Sequence, residues 1–427
     1  MIWQYKHIYR LLFCTLIVIT SATKLNAQNV TSPYSILGIG DIDTKDYGRY
    51  FFDGSTANAR RAVGSYNFSN PASLTALTYK LVNFDIGMRG RVSDFQMPSA
   101  DTSTAASKDF AVKRISFSFK AGKKTGIAFG LKPYSSVNYK YEATQAILDG
   151  YSTYTKAVDG SGGINQVYFS AGRELFKNLS IGITASYLFG SLQNTTSYSS
   201  IALPINLSRT DIDFLYGANV LVGLQYYTAA DKKWQHQFGL TGSVSTKLSG
   251  QTTSEYVDSN VSASTFINQS ITKSSPFQMP SSIGFGYAGI SNNKWIFSVD
   301  ANYTKWPHQQ VDYVNSSTTS TLRLSAGIEY SKKVKTAYYE YEKYFVAGGF
   351  SAENSYILLS GNYIKDYAVS LGGGINLSKN MVVYGGVESG VKGDLTKMQI
   401  KENYTNILFG ISIKDLWYGT KKLGRFN

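Results

Sequence analysis

Six ionisable residues share one phase of alternating segments: Asp85, Arg89, Arg114, Asp300, Arg323 and Glu329. Asp85 stands between Phe84 and Ile86, and Arg323 between Leu322 and Leu324. Charges enclosed in an interior need partners. Two readings follow. The six pair with one another and with N-terminal residues, or a cation, Arg89 or Arg323, meets a ligand carboxylate. Arg60 and Arg61, upstream, are equal candidates for that contact. Catalysis finds little support. His236 and His308 fall at opposite ends of their segments, so no shared metal site is expected. No Ser-His spacing marks a hydrolase. We expect no enzyme, no metal and no cofactor.

The charges sit where they do because of the elements that carry them. In Ser281 to Trp306, Ile283, Phe285 and Tyr287 alternate with Ser282, Gly284 and Gly286. After the turn Ser291-Asn292-Asn293, Trp295, Phe297, Val299, Ala301 and Tyr303 alternate with Ser298, Asp300 and Asn302. Period two with a polar turn is a hairpin. Apolar on one face and polar on the other is the pattern of a transmembrane β-strand.

Composition agrees. Residues 1–27 read as a cleaved secretory leader, with Lys6 and Arg10 before the apolar run Leu11 to Ile19. The single cysteine, Cys14, lies within it, so the exported chain has no disulfide and no thiolate site. Without Lys6, Arg10 and Lys24 the formal charge falls from +14 to +11. Many basic residues crowd turns (Lys123, Lys124, Lys232, Lys233, Lys332, Lys333), and no nucleic-acid motif accompanies them. No later apolar run approaches the ~18 residues of a spanning helix. The 33 Tyr and 39 Gly against 8 Pro fit a strand-built outer-membrane protein.

Fourteen strands are expected over 80–427, from 81–92 to 404–418, with 343–351 the weakest. Tight turns alternate with long connections, and short turns on one side with long loops on the other mark an outer-membrane barrel. The longest loop is expected at about 250–277, which is rich in Ser, Thr, Asn and Gln. The link 332–342 is long on the short side and breaks the rule. A ring this wide left empty would leak. Residues 28–79, which do not alternate, are therefore expected to fold into the lumen as a plug, or hatch. Within it Asn70 suits an N-cap and Pro71 the first helical position, giving one or two turns through Leu77. Phe51 and Phe52 are expected to line an apolar path.

The motif Asn70-Pro71-Ala72 before the first strand, with the hairpin Met279 to Trp306, resembles the FadL family of outer-membrane transporters for long-chain fatty acids and aromatic hydrocarbons. The resemblance spans the exported chain and implies an all-β, 14-stranded antiparallel barrel with an N-terminal hatch. It also implies passive uptake of hydrophobic small molecules, with release into the membrane through a gap at a kinked third strand. Pro133, inside "GIAFGLKPYSSVNY", is the candidate for that gap, because proline donates nothing to a ladder. A strand that merely bulges there is the alternative. The implied partners are outer-membrane lipid, a hydrophobic small-molecule ligand and, during biogenesis, barrel-assembly machinery; a monomer is expected and no nucleic acid. The type IX secretion shuttle barrels look similar too, which keeps a carrier or scaffold for secreted or surface proteins open, and beside it a purely structural barrel.

Overall fold

The structure is a computed structural model. It describes residues 32–416 except 99–103, 147–151, 201–204, 229–232, 259–264, 274–276, 312–314, 336–339 and 379. The expected leader, 1–27, lies outside the described residues. Among the described residues fourteen wall strands follow one another in chain order. They are β1 (Leu81–Gln96), β2 (Thr104–Lys120), β3 (Thr125–Ala146), β4 (Thr153–Phe176), β5 (Leu179–Ser200), β6 (Ile205–Tyr227) and β7 (Trp234–Ser243 continued by Lys247–Asp258). There follow β8 (Thr265–Lys273, Phe277–Gln278 and Ser281–Ser291), β9 (Trp295–Lys305 and Gln310–Val311), β10 (Ser316–Thr318 and Thr321–Lys335), β11 (Glu340–Leu359), β12 (Asn362–Ser378), β13 (Met381–Lys392) and β14 (Lys401–Leu416). Neighbours pair antiparallel, and β1 closes the ring on β14 from Leu81 opposite Leu416 to Gln96 opposite Lys401. Closure is what a membrane demands, since lipid cannot satisfy a free strand edge.

The phase of each strand is the one its sequence predicts. On β1, Asn83, Asp85 and Arg89 are buried inside. Phe117, Phe169, Ile183, Phe285, Val299, Leu324 and Ile407 stand exposed on the outside. The rings of Trp295 and Tyr330 lie 4.8 Å apart and those of Trp234 and Phe297 6.3 Å apart, close to the tight turns. An aromatic girdle of this kind marks a membrane interface. The molecule is an outer-membrane β-barrel. Leu371, 59% exposed near the middle of β12, tests the lipid face. Leu371→Arg should weaken folding into lipid vesicles by roughly 2–4 kcal/mol. A neutral result would mean that this face does not meet hydrocarbon.

Three expectations about the wall are corrected. The stretch 250–277 is not a loop: Lys247–Asp258 and Thr265–Lys273 pair with each other, and the first of them also continues the ladder with β6. The weak strand at 343–351 belongs to β11, which runs for 20 residues. The long link at 332–342 is mostly strand, since β10 reaches Lys335 and β11 begins at Glu340. At 250–277 the strand ends stand above the hydrocarbon and need no greasy face, so backbone pairing continues where apolar alternation stops; at 343–351 the inward residues Phe345 and Ala347 are apolar too, because they pack against the plug, and the alternation is blurred.

Residues 32–79 fill the lumen and run down it. At the end of the barrel where β13 passes to β14, Tyr34 donates to the Ile400 carbonyl, and at the other end, beside the β2–β3 turn, Tyr79 bridges Lys120. Three short 3₁₀ turns punctuate the plug, at Pro33–Ile36, Arg49–Phe51 and Pro71–Ala76. The Asn70 side chain accepts from the Ala72 amide at 3.0 Å, and Pro71 opens the turn. The cap does a second job. Asn70 Nδ2 donates to the carbonyls of Asn58 in the plug and Leu224 in the wall. The close approach requires wall glycines: a Cβ at Gly182 would lie 2.4 Å from the Pro71 carbonyl carbon, and one at Gly223 would lie 2.1 Å from Asn70 Oδ1.

Candidate functional site

Plug and wall meet through buried ion pairs. Asp41 pairs with Lys392 on β13 at 2.7 Å, and Asp43 with Lys113 on β2 at 2.8 Å. Lys45 pairs with Glu388 on β13 at 2.6 Å, and Asp46 with Arg114 on β2 at 2.7 Å. Arg49 and Arg60 converge on Glu329 of β10, which is fully buried; Arg49 also takes Glu342 of β11 and Arg60 takes Asp53. Asp41, Asp43 and Lys45 reach the wall at a spacing of two, as on a strand, and Thr44 and Asp46 reach it as well. Burial and neighbouring charge together move these acids in opposite directions. Against the cost of desolvation, Lys392 and Arg91 hold the Asp41 carboxyl at about 2. At Asp53 desolvation wins over the attraction of Arg60 and pushes the carboxyl up to about 7.

One seam in the wall is incomplete. The ladder between β2 and β3 runs from Lys120 opposite Gly126 to Ile115 opposite Leu131 and ends there among the described residues. On its other side β3 stays paired with β4 throughout, with one register shift between Pro133 and Ser135. The wall is therefore interrupted beside Pro133 on one side only. The plug fills the missing place: its strand Asp41–Ile42 pairs antiparallel with Ser136 and Ser135. Asp43 then ties both edges together. Its amide donates to the Tyr134 carbonyl on β3 at 2.9 Å, while its carboxylate reaches Lys113 on β2 and accepts from the Tyr47 hydroxyl at 2.9 Å. Arg89 on β1 approaches the same carboxylate at 4.0 Å.

Behind the seam lies a cavity of about 290 Å³ between plug and wall, at the small end of ligand pockets. Lys132 and Tyr134, the two residues flanking Pro133, line it, so it reaches the wall at the seam. Across from them Trp306 and Tyr356 pack at 4.7 Å. Much of the remaining lining is hydroxyl and amide, as at Thr184, Asn219 and Ser282.

A family model, BamG, matches residues 7–424. The chain belongs to the BamG family. No curated protein matches it in sequence. Among solved structures it is similar to a Pseudomonas aeruginosa FadL homologue (TM-score 0.59, 8% identity, 90% of this chain and 100% of that one). The Pseudomonas putida toluene transporter TodX (0.57, 14%, 88% and 99%) and the Ralstonia pickettii toluene transporter TbuX (0.55, 16%, 86% and 98%) are similar too. At such identities the likeness is one of fold, and this BamG-family barrel is FadL-type in architecture.

The residues singled out in the sequence are distributed unevenly over this BamG-family site. Arg323 and Asp300 line the cavity. Arg323 donates to the Gly54 carbonyl at 2.9 Å, with Glu353 at 3.6 Å. Asp300 accepts from the Ala57 and Asn58 amides at 2.7 and 2.8 Å. Arg89 is engaged by Asp109 at 2.8 Å, Arg114 by Asp46 and by Asp85 at 3.4 Å, and Arg60 by Asp53 and Glu329. Arg61 lies over the Tyr227 ring at 3.7 Å. Phe51 and Phe52 do not border the cavity; both are fully buried against Tyr47, Phe345, Tyr384 and Leu408, because a flat aromatic gains most from a packed cluster. Asn70, Pro71 and Ala72 anchor the plug to β4, β5 and β6, next to the seam, with Ala72 fully buried. Sequence reasoning missed Asp43, Lys113 and Lys132. Lys113 beside Arg114 was the available signal: two adjacent cations break period two, and the β1–β2 register shifts there. His236 meets the Tyr287 hydroxyl at 2.9 Å and His308 the Thr318 carbonyl at 3.3 Å.

Proposed function

We propose that the chain is a passive uptake barrel of the outer membrane, working as a monomer and not as an enzyme. In this reading residues 1–27 are a cleaved leader, 28–79 the hatch and 80–427 the barrel. The observation that carries the reading is the cavity reaching the wall beside Pro133, where the ladder stops and the plug stands in for a strand. A small molecule held there needs only the plug strand to move in order to leave sideways into lipid. The similar solved structures include two toluene transporters, which supports a hydrophobic cargo of the fatty-acid or aromatic-hydrocarbon class. The hydroxyl and amide lining favours a molecule with a polar end over a bare hydrocarbon.

A second reading, a scaffold that handles outer-membrane polypeptide, is favoured by one observation. Above Ile115 the edge of β2 that faces β3 has no ladder partner among the described residues, and such edges pair readily with other strands. The family designation, BamG, is compatible with a partner in barrel assembly. Deleting the gene and measuring two quantities separates the readings. Uptake requires that labelled fatty acid enter more slowly while the amounts of other outer-membrane barrels stay constant. Unchanged entry with depleted barrels would overturn uptake in favour of the scaffold.

A further inference from the structure

Outside the barrel, near the tight-turn end, a groove of about 500 Å³ opens on the lipid face of β4, β5 and β6. Ala171, Ile181, Ile183 and Val222 line it, and Thr125 and Arg173 stand at the end nearer the turns. Side-chain size makes the hollow. Ala171 lies in register between Ile127 on β3 and Ile183 on β5, and Phe169, 53% exposed, precedes it on the same outward phase. An alanine among these larger neighbours leaves a gap in a face that otherwise presents bulk to hydrocarbon. The wall is thin there. Behind Ala171, Gly172 and Gly182 face the plug, and a Cβ at Gly172 would lie 2.5 Å from the Pro71 carbonyl oxygen.

Cations gather at the rim of the groove. Arg173 lies in it, Lys123 and Lys124 occupy the β2–β3 turn, and Lys177 the β4–β5 turn. Arg173 pairs opposite Thr125, the residue after Lys124, and the Glu174 amide donates to the Lys124 carbonyl at 2.9 Å, so the two turns are held side by side. All four cations are exposed, and none is in an ion pair among the described residues. Residues 120–127 and 171–183 contain one acid, Glu174. It turns inward and accepts from the Tyr227 hydroxyl at 3.3 Å, beside Arg61 of the plug. Phe176 and Tyr226, both exposed, flank the same rim. Aromatic side chains in such a belt settle at headgroup level, so these cations stand where lipid phosphates lie.

We propose that this groove and its rim bind a phospholipid with a net negative headgroup, its phosphate at Arg173 and Lys124 and one acyl chain along Ala171, Ile183 and Val222. Tight turns of such barrels face the periplasm, so the lipid belongs to the inner leaflet. A bare hydrocarbon would fill the hollow and leave the cations to water. A free phosphate would meet the cations and leave the hollow without a chain. The phospholipid satisfies both. The site lies on the opposite side of the wall from the plug and does not depend on what the plug–wall cavity carries.

The test uses the full exported chain in detergent micelles and native mass spectrometry with three probes: phosphatidylglycerol, phosphatidylethanolamine of the same chains, and inorganic phosphate. One phosphatidylglycerol is expected to stay on each barrel at a concentration where phosphatidylethanolamine is lost. Lys124→Gln combined with Arg173→Gln should weaken that binding by roughly tenfold or more, the loss of two cations at the headgroup. Ala171→Trp fills the hollow and should weaken it as well, with every cation left in place. Lys294→Gln combined with Lys332→Gln, exposed cations elsewhere on the same rim, should change nothing. Heat-shifted mobility on gels confirms that each variant is folded. An equal loss in the Lys294 and Lys332 variant overturns the site in favour of general attraction round the rim. Equal retention of the two lipids overturns the recognition of charge. Binding untouched by Ala171→Trp overturns the groove as the seat of the chain. Displacement of the lipid by an equal concentration of inorganic phosphate overturns the phospholipid and leaves an anion site only.

Discussion

Glu329→Gln should destabilise the plugged barrel by roughly 3–5 kcal/mol, because it removes the shared counter-charge of two buried guanidiniums. Glu329 is fully buried and accepts from Arg49 and from Arg60, the latter at 2.8 Å. Arg49 keeps Glu342 and Arg60 keeps Asp53, so the junction is weakened and not abolished. The loss should appear in urea unfolding from lipid vesicles, and earlier in proteolysis of the plug. The exposed pair Arg209–Asp211 is the control: its arginine side chain is 51% exposed, and Asp211→Asn should cost less than about 1 kcal/mol. Equal effects at the two sites would show that the plug junction is as well solvated as the rim.

Asp43→Asn should release the seam. The asparagine keeps the amide bond to Tyr134 but leaves Lys113 and Arg89 without a carboxylate of the plug. A buried cation deprived of its partner costs on the order of 3 kcal/mol, or roughly a hundredfold in an opening equilibrium. Amide exchange should therefore rise at Asp41 to Thr44 and at Ser135 and Ser136, the plug strand and its partners, with β12 and β13 unchanged. In planar bilayers the closed barrel should begin to show brief openings. Uniformly faster exchange would mean general destabilisation. Unaltered exchange would mean that backbone pairing alone holds the seam.

Much of the wall was readable without coordinates. Ile283, Phe285 and Tyr287 facing one way and Ser282, Gly284 and Gly286 the other is a statement about neighbours two residues apart, and lipid enforces it strand by strand. The same signal fell silent where the strands rise above the membrane. Gln251 to Thr253 carry no greasy face, so the hairpin they form resembled a loop. The charged residues told half of their story. Asp85, Arg89, Arg114 and Glu329 were legible as inward-facing, but their partners were not. Arg49 and Glu329 lie 280 residues apart, and Lys45 and Glu388 343 apart.

The sequence by itself determined that this is a closed ring of fourteen strands, greasy outside, with a stopper folded from the residues before the first strand and an N-cap at Asn70 to seat it. Tertiary structure alone decided that the stopper is tied to β2, β10, β11 and β13 by ion pairs, that its Asp41–Ile42 strand stands in for a neighbour of β3, and that Lys132 looks into the cavity behind. The division has a physical reason. Burial against lipid is a local demand that each strand meets on its own. Pairing between plug and wall depends on the register accumulated around the whole ring and on the path the plug takes down its centre.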